Sequence, residues 1–551
     1  MIQKVQTLWP EICLFAAACV VMVLGVARTA GVRRLCAPVA AVGFVAAGLA
    51  ALLIEAPHAG PLPMLAVYGK ALAAVMGVLL VALLAGVADR ELEARVARGG
   101  GAGFEPLRAT RGEFYAFALF SVMGLMLCAG AEDLIWLFLA LELTSLPTYV
   151  MVAISRRAEA SLEAAVKYFF LGAMGAAVFL YGFALLYGAT GTTNLSALRL
   201  ALALQAVGPD GVNTLALAGC VLVFLGLSVK IAAVPMHYYT PDVYQGAAAP
   251  VSGFLAFVPK AAGFYALMLV MVCVGWNFGD RGGAELPGPV HFVMYAVAVL
   301  TMTAGNVLAI MQDSIKRILA YSSIAHSGYM LVGIIAGPGG EGAGFTRNGL
   351  AAVWFYLLVY GVMTLGAFAV VAALERRRRD GGHDEIDAVT DLRGLWRDHP
   401  LLAGVMFICA MGLLGLPPLL GFFGKLPLFT AGIASGHVLL VVILGLNSAI
   451  AAVYYLRLAF VPLLEVRSAG DDVAGPVRLT PFAARIGVGV VCAVLVVVLA
   501  LAGSDRLAGA AVAAGSPARL AAPPAREEAF RAPRPRGLDP RAPAPVAPPA
   551  P

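Results

Sequence analysis

The sequence predicts an all-α polytopic membrane protein of about fourteen transmembrane helices, built on two inverted five-helix repeats that each hold a broken helix. Three observations carry this. The chain has 551 residues, 61% hydrophobic and only 13% charged, too little charge to cover a soluble fold of that length. Apolar runs of about 18–25 residues recur along it, each long enough to cross a bilayer. Lysines interrupt two of these runs five helices apart, each beside proline: Lys230 before Pro235, and Lys425 after Pro417 and Pro418. Five is odd, so two such units in tandem have opposite topology, the pattern of an inverted-repeat transporter with its site at mid-membrane.

Taken in order, spans are expected at 11–27, 35–54 and 64–87, an N-terminal unit of three helices within 1–113. The first follows a start with one lysine and has no small-residue cleavage site, so it reads as a retained helix. The first repeat, 114–284, holds spans at 114–130, 133–153, 164–187, 214–235 and 248–274. The second, 285–463, holds 290–311, 318–336, 350–373, 401–429 and 437–461. Pro235 breaks the seventh span, and Pro417 with Pro418 breaks the twelfth. A loop and the last span, 484–503, complete 464–503. The remainder, 504–551, rich in Ala, Pro and Arg and without periodicity, is expected to be disordered.

Basic residues separate by side. Odd-numbered loops hold Arg28, Arg33, Arg34, the group at 90–111, Arg156, Arg157, Lys316, Arg317 and the run at 376–379. Even-numbered loops hold little beyond Arg199, Arg281 and Arg347. Counting Lys4, a bias of about twenty to four places the odd loops in the cytoplasm and both termini on the other side. The eight cysteines lie in or beside apolar runs and form no C-x-x-C pair, which suits structural thiols rather than metal or iron–sulfur ligands.

Four ionisable residues fall inside apolar spans: Glu142 in "WLFLALELTSLPTYV", Lys230 in "GLSVKIAAVPMHYY", Lys260 in "SGFLAFVPKAAGFYAL" and Lys425 in "GLPPLLGFFGKLPLF". Each costs about 2.5–3.5 kcal/mol at bilayer centre, so the set asks for a function. Pro235 lacks an N–H, which strips the Ile231 carbonyl of its helical donor one turn after Lys230. Broken backbone at that depth persists only inside protein or along a wet cavity. Desolvation weakens a lysine's hold on its proton and a nearby carboxylate strengthens it. Lys230 paired with Glu142 can therefore take up or release a proton when the partner moves.

Weaker candidates surround these. His237 and His326 are relays or plain hydrogen-bonding residues, imidazole titrating near neutral pH. Lys167 follows Glu163 by one turn, and that local pair explains it almost as well as a relay would. Lys70, at the start of the third span, reads as a snorkelling lysine. Tyr239, Tyr244 and Asp242 are assigned to shaping the loop after the first break, and "HDEID" at 383–387 is a polar cluster without metal spacing. "GFFGKL" is no P-loop, since Leu426 stands where Ser or Thr is required. No nucleotide, flavin or metal site and no nucleic-acid partner is expected.

Three stretches, "LSVKIAAVPMHYYTPDVYQGAAAPVSGFLAFVPK", "KRILAYSSIAHSGYMLVG" and "GLPPLLGFFGK", together resemble the signatures of the antiporter-like proton-translocating subunits of respiratory complex I. "TPDVYQGA" and the lysine at 425 are similar to the subunit N group rather than to subunits L or M. The resemblance covers about 114–464, and the tail and Lys70 depart from the family pattern. It implies a non-redox subunit of a proton-translocating NADH:quinone oxidoreductase, in a bacterial inner membrane, without a complete active site of its own. By the same resemblance, Glu142 and Lys230 form the ion pair of a half-channel open to the cytoplasm. Lys260 is then the central relay, His326 assists, and Lys425 leads to the periplasmic half-channel. NADH, FMN, iron–sulfur clusters and quinone would be bound by other subunits. The implied neighbours are a subunit of M type on one side and small quinone-proximal membrane subunits on the other, with lipid around them. The alternatives are an Mrp-type cation/proton antiporter subunit, the equivalent subunit of a hydrogenase or ferredoxin-linked complex, and a scaffold that kept the fold without transport.

Overall fold

The computed structural model describes residues 6–54, 60–90, 110–156, 159–208, 211–278, 285–340, 342–377, 383–466, 477–502 and 504–518. Among them, eleven helices are long and apolar enough to cross a membrane. In chain order they are the second span Ala30–Leu52, third Pro63–Leu83, fourth Arg111–Ala129, fifth Leu134–Ser155 and sixth Glu159–Thr190. The eighth is Ala249–Val274, ninth Gly288–Ile310, tenth Ile315–Ala336, eleventh Gly349–Ala373, thirteenth Val438–Leu464 and fourteenth Ala483–Ala502. Trp9–Gly25 is the first, and two interrupted helices supply the seventh and twelfth.

The eighth and eleventh spans are buried along their whole length, and the tenth nearly so. Enclosed on every side by other helices, they form the axis of the described fold and carry their few polar groups inside it. The sixth and seventh spans pack against each other through glycines. A Cβ on Gly226 would stand 2.5 Å from the Phe179 nitrogen, and one on Gly219 would stand 3.0 Å from the Gly182 oxygen. Small residues at such a crossing let two backbones approach closely, which is how helices associate where lipid removes the hydrophobic drive.

Both expected breaks are present. The seventh span runs as Thr214–Lys230, an irregular stretch, then Thr240–Gly246. It was expected to continue to 235, but Ala232 adopts φ 56, a left-handed conformation that no helix continues. The twelfth divides into Pro400–Leu414 and Leu420–Ala434, with Gly415 left-handed between them. The Val234–Pro235 and Pro417–Pro418 peptide bonds are cis.

Three elements lie outside the expectations. Leu195–Ala206 is a short helix capped by Asn194, whose Oδ1 accepts from the Ala197 nitrogen at 3.0 Å. On the odd-loop side, β1 (Leu374–Arg377) pairs antiparallel with β2 (His383–Glu385) and with β3 (Val477–Leu479), in the order β2-β1-β3. The tail corrects the expectation of disorder from 504 onward. Ser504–Ala514 is a helix docked on the third and eleventh spans, with Ala511 and Ala514 fully buried. Asn348 Nδ2 donates to the Gly515 carbonyl at 3.2 Å to close that contact. Alanine is the strongest helix former, and its small side chain seats the segment closely. Residues 519–551 lie outside the described residues, as do Lys4, Arg157, Arg281, Arg378, Arg379 and the basic stretch at 91–109.

Candidate functional site

Of the four intramembrane charges, Lys230, Lys260 and Lys425 are buried inside protein and Glu142 is partly exposed. Lys230 closes the first half of the seventh span, where helix carbonyls end and a cation is favoured. Its Nζ donates to Glu142 Oε1 at 3.1 Å and to Ser145 Oγ at 2.6 Å, both on the fifth span. The Lys230 side chain is 5% exposed and that of Glu142 18%, so the carboxylate is the member nearer the outside. Phe179 lies beneath the ammonium, 5.9 Å to the ring centre.

The break that follows is cross-linked to the second half of the chain. The Ile231 carbonyl, freed by Pro235, accepts from Ser327 Oγ on the tenth span at 2.5 Å. The Val234 nitrogen donates to Thr301 Oγ1 on the ninth at 2.9 Å. Both opened backbone groups are thus satisfied by side chains, as a buried break requires. Tyr239 returns its hydroxyl to the Val229 carbonyl at 2.7 Å.

Between Lys230 and Lys260 lies a cavity of ≈ 20 Å³, lined by both lysines together with Tyr168, Tyr239, Tyr244 and Pro259. That is room for about one water, with polar partners on several sides. Pro259 interrupts the ladder of the eighth span as Pro235 does the seventh, taking the helical donor from the Leu255 carbonyl, whose residue also lines the cavity. Lys260 Nζ donates to both the carbonyl and the hydroxyl of Ser323 on the tenth span, and Tyr360 Oη donates to the same hydroxyl at 2.8 Å.

One turn further along the tenth span, His326 holds Tyr356 Oη at 2.6 Å from Nδ1 and Tyr455 Oη at 2.7 Å from Nε2. Ser322 Oγ shares a short hydrogen bond with Tyr455 Oη. The His326 ring meets Tyr329 edge-on at 5.3 Å between centres, and Lys425 Nζ stands 5.1 Å above that Tyr329 ring. Lys425 also donates to the Leu414 carbonyl at 2.8 Å, the group that Pro418 deprives of its helical donor. Between Glu142 and Lys425 lie three separate hydrogen-bonded sets: Lys230 with Glu142 and Ser145, Lys260 with Ser323 and Tyr360, and His326 with Tyr356 and Tyr455. Each hydroxyl both gives and accepts a proton.

The sequence reading missed the hydroxyls: Ser145, Ser323, Ser327, Tyr356, Tyr360 and Tyr455. "YSSIAHSGY" carried a signal for part of them, because Ser322, Ser323, His326 and Ser327 recur at helical spacing on a span that is otherwise apolar.

The weaker candidates separate. His326 lies in the chain of groups just described, whereas His237 does not: its Nδ1 is buried without a partner among the described residues. Lys167 makes the local pair with Glu163 at 2.6 Å, and it also holds Asp242 at 3.0 Å. Asp242 in turn receives Arg317 at 2.8 Å, so it ties the second piece of the seventh span to the sixth and tenth. "HDEID" is more than a loop cluster. Glu385 accepts from the Ala249 nitrogen that opens the eighth span, and it pairs with Arg156 and with Lys316, the latter at 3.4 Å. Lys70 corrects the snorkelling assignment. It is 2% exposed and paired at 2.8 Å with Glu11 on the first span, because it lies two turns inside a span that other helices enclose. Among the described residues no group of three His, Cys, Asp or Glu could hold a metal ion.

With this geometry in place, comparison with known proteins is direct. The NADH:quinone oxidoreductase/Mrp antiporter transmembrane family matches residues 131–451. The NADH-quinone oxidoreductase subunit N of Salinibacter ruber is 42% identical over 399 residues, 71% of this chain and 74% of that protein. A chain of respiratory complex I from Thermus thermophilus, solved with bound aureothin, superposes with a TM-score of 0.70 at 31% identity, covering 92% of this chain and all of that one. A chain of the Mrp complex from a Dietzia species shares the fold, with a TM-score of 0.68 at 21% identity and coverage of 93% and 97%. The chain belongs to the NADH:quinone oxidoreductase/Mrp antiporter membrane family, and within it to the subunit N group of complex I.

Proposed function

We propose that this chain carries protons across the membrane as a subunit of an NADH:quinone oxidoreductase, through Glu142, Lys230, Lys260 and Lys425 in that order. The observation that carries the reading is the succession of groups along the axis: a 3.1 Å ion pair, a water-sized cavity between two lysines, and hydroxyl and imidazole groups between the second lysine and the third.

The mechanism is electrostatic. A charge change in a neighbouring subunit acts on Glu142, the more exposed member of the pair. When its pull weakens, Lys230 gives a proton to the water between it and Lys260. Ser323 with Tyr360, and His326 with Tyr356, are two hydrogen-bonded sets that pass protons on towards Lys425, with water completing the steps between the sets and on to the lysine. Entry is from the cytoplasm, the side of the basic loops, and release is to the periplasm, where both termini lie. Electron transfer from NADH to quinone takes place in partner subunits, with the small quinone-proximal membrane subunits on one side and a subunit of M type on the other. His237 and Lys167 are not needed for this route.

The test is NADH-driven proton export by assembled complex carrying Lys230→Ala. Loss of export with assembly retained is expected. Undiminished export overturns the reading.

A further inference from the structure

The first three spans take no part in the route above, yet they enclose a second buried ion pair. Glu11 on the first span is 4% exposed and Lys70 on the third 2%. Lys70 Nζ lies 2.8 Å from Glu11 Oε1 and also donates to the Thr7 carbonyl at 2.6 Å. Apart from this contact, neither carboxylate oxygen receives a hydrogen bond among the described residues. A Cβ on Gly130 would stand 3.5 Å from the Lys70 nitrogen, so the end of the fourth span closes over the ammonium.

Aromatic residues lie inward of the pair. Lys70 follows Gly69, where a Cβ would lie 3.2 Å from the ring of Tyr265, and Tyr68, which meets Trp354 edge-on at 6.2 Å. Tyr265 Oη and Trp354 Nε1 are buried neighbours, and neither stands within full hydrogen-bond distance of a partner among the described residues. Buried polar groups of this kind are ordinarily satisfied by ordered water where water reaches them. Tyr265 is on the eighth span, five residues beyond Lys260 and about 7.5 Å further towards the even-loop side. Glu11 and Lys70 lie near the same side, in the opening turns of their spans. A pair kept only to pin two helices has weak physical grounds, since apolar replacement of buried pairs is often neutral or stabilising.

We propose that Glu11 and Lys70 are a proton-exchanging pair at the outer end of a second outlet from Lys260, bridged by water at the Tyr265 hydroxyl, so that the first three spans serve proton release. The inference rests on Lys260 carrying protons as read above. Only protons move. The Lys260 ammonium gives one to water, the Tyr265 hydroxyl accepts one as it gives one on, and the Glu11 carboxylate receives one. Lys70 remains charged beside it, and bulk water then takes the proton and restores the carboxylate.

The experiment measures protons exported per electron in assembled complex carrying Tyr265→Phe, the double change Glu11→Gln with Lys70→Met, or Lys230→Ala. The double change removes both charges and strands neither. The proposal expects a lowered ratio for Tyr265→Phe and for the double variant. A full ratio in either overturns it, and where the double variant fails to assemble, Tyr265→Phe decides, since it removes one oxygen and keeps the packing. Full export by Lys230→Ala sinks the main route instead. Lost export there with a full ratio for Tyr265→Phe sinks this inference alone.

Discussion

The Glu142–Lys230 pair offers the sharpest test, because its strength follows from its separation. At 3.1 Å and an effective dielectric near 20, a unit charge pair is worth about 5 kcal/mol. Losing the carboxylate charge removes that attraction and leaves the ammonium to the Ser145 hydroxyl. Glu142→Gln removes that charge with almost no change of shape. Glu142→Asp keeps the charge but is one bond shorter, about 1.5 Å. At about 4.6 Å the attraction is about 3.6 kcal/mol, so about two-thirds of it survives. The expected order of proton export is therefore unsubstituted, then Asp, then Gln, the last near zero. Inverted membrane vesicles supplied with NADH and a pH-gradient dye measure this, normalised to assembled complex. Export by Glu142→Gln equal to the unsubstituted protein refutes the electrostatic argument. Equal losses in Asp and Gln refute it too, because they point to geometry rather than charge.

Two further outcomes follow from the same coordinates. Tyr360→Phe removes the donor to Ser323 Oγ and leaves the ring under Lys260, and is expected to slow proton export with assembly unchanged; vesicle assays on matched complex levels check it. Gly226→Val forces a side chain against the Phe179 backbone nitrogen, and overpacking of this kind costs about 1–3 kcal/mol or more. Loss of the subunit from membranes, read by immunoblot, is the expected result, while Gly404→Val, where a Cβ meets nothing within 4 Å, leaves the level unchanged.

How far the sequence could be read depended on the range of each interaction. Hydropathy and proline are local, so the fourteen spans and both breaks were legible, with the seventh misjudged only where Ala232 leaves the helix. Buried charge was legible too, because Glu142 and Lys230 stand out against apolar neighbours. Pairing across distant spans was not. Glu11 lies 59 residues before Lys70, and nothing in either flank announces the contact; only enclosure of the third span turns a lysine near an edge into a buried one. The tail helix was hidden for the same reason. Its alanines read as low complexity until the third and eleventh spans supply a surface for them. The strap of Glu385 across Arg156, Lys316 and the start of the eighth span joins three loops that no local pattern connects.

The two breaks, similar in sequence, are resolved by different chemistry, and the difference bears on how the halves respond. In the seventh span the freed Ile231 carbonyl is taken by Ser327, which leaves the Lys230 ammonium to Glu142 and Ser145. Lys230 therefore answers to side chains, and above all to a charge that a neighbour can perturb. In the twelfth span the freed Leu414 carbonyl is taken by Lys425 itself. An ammonium that caps its own helix end cannot turn away without stranding that carbonyl, at about 1–3 kcal/mol. Lys425 is thus held by backbone geometry, its ammonium fixed to the end of the helix piece that precedes its own.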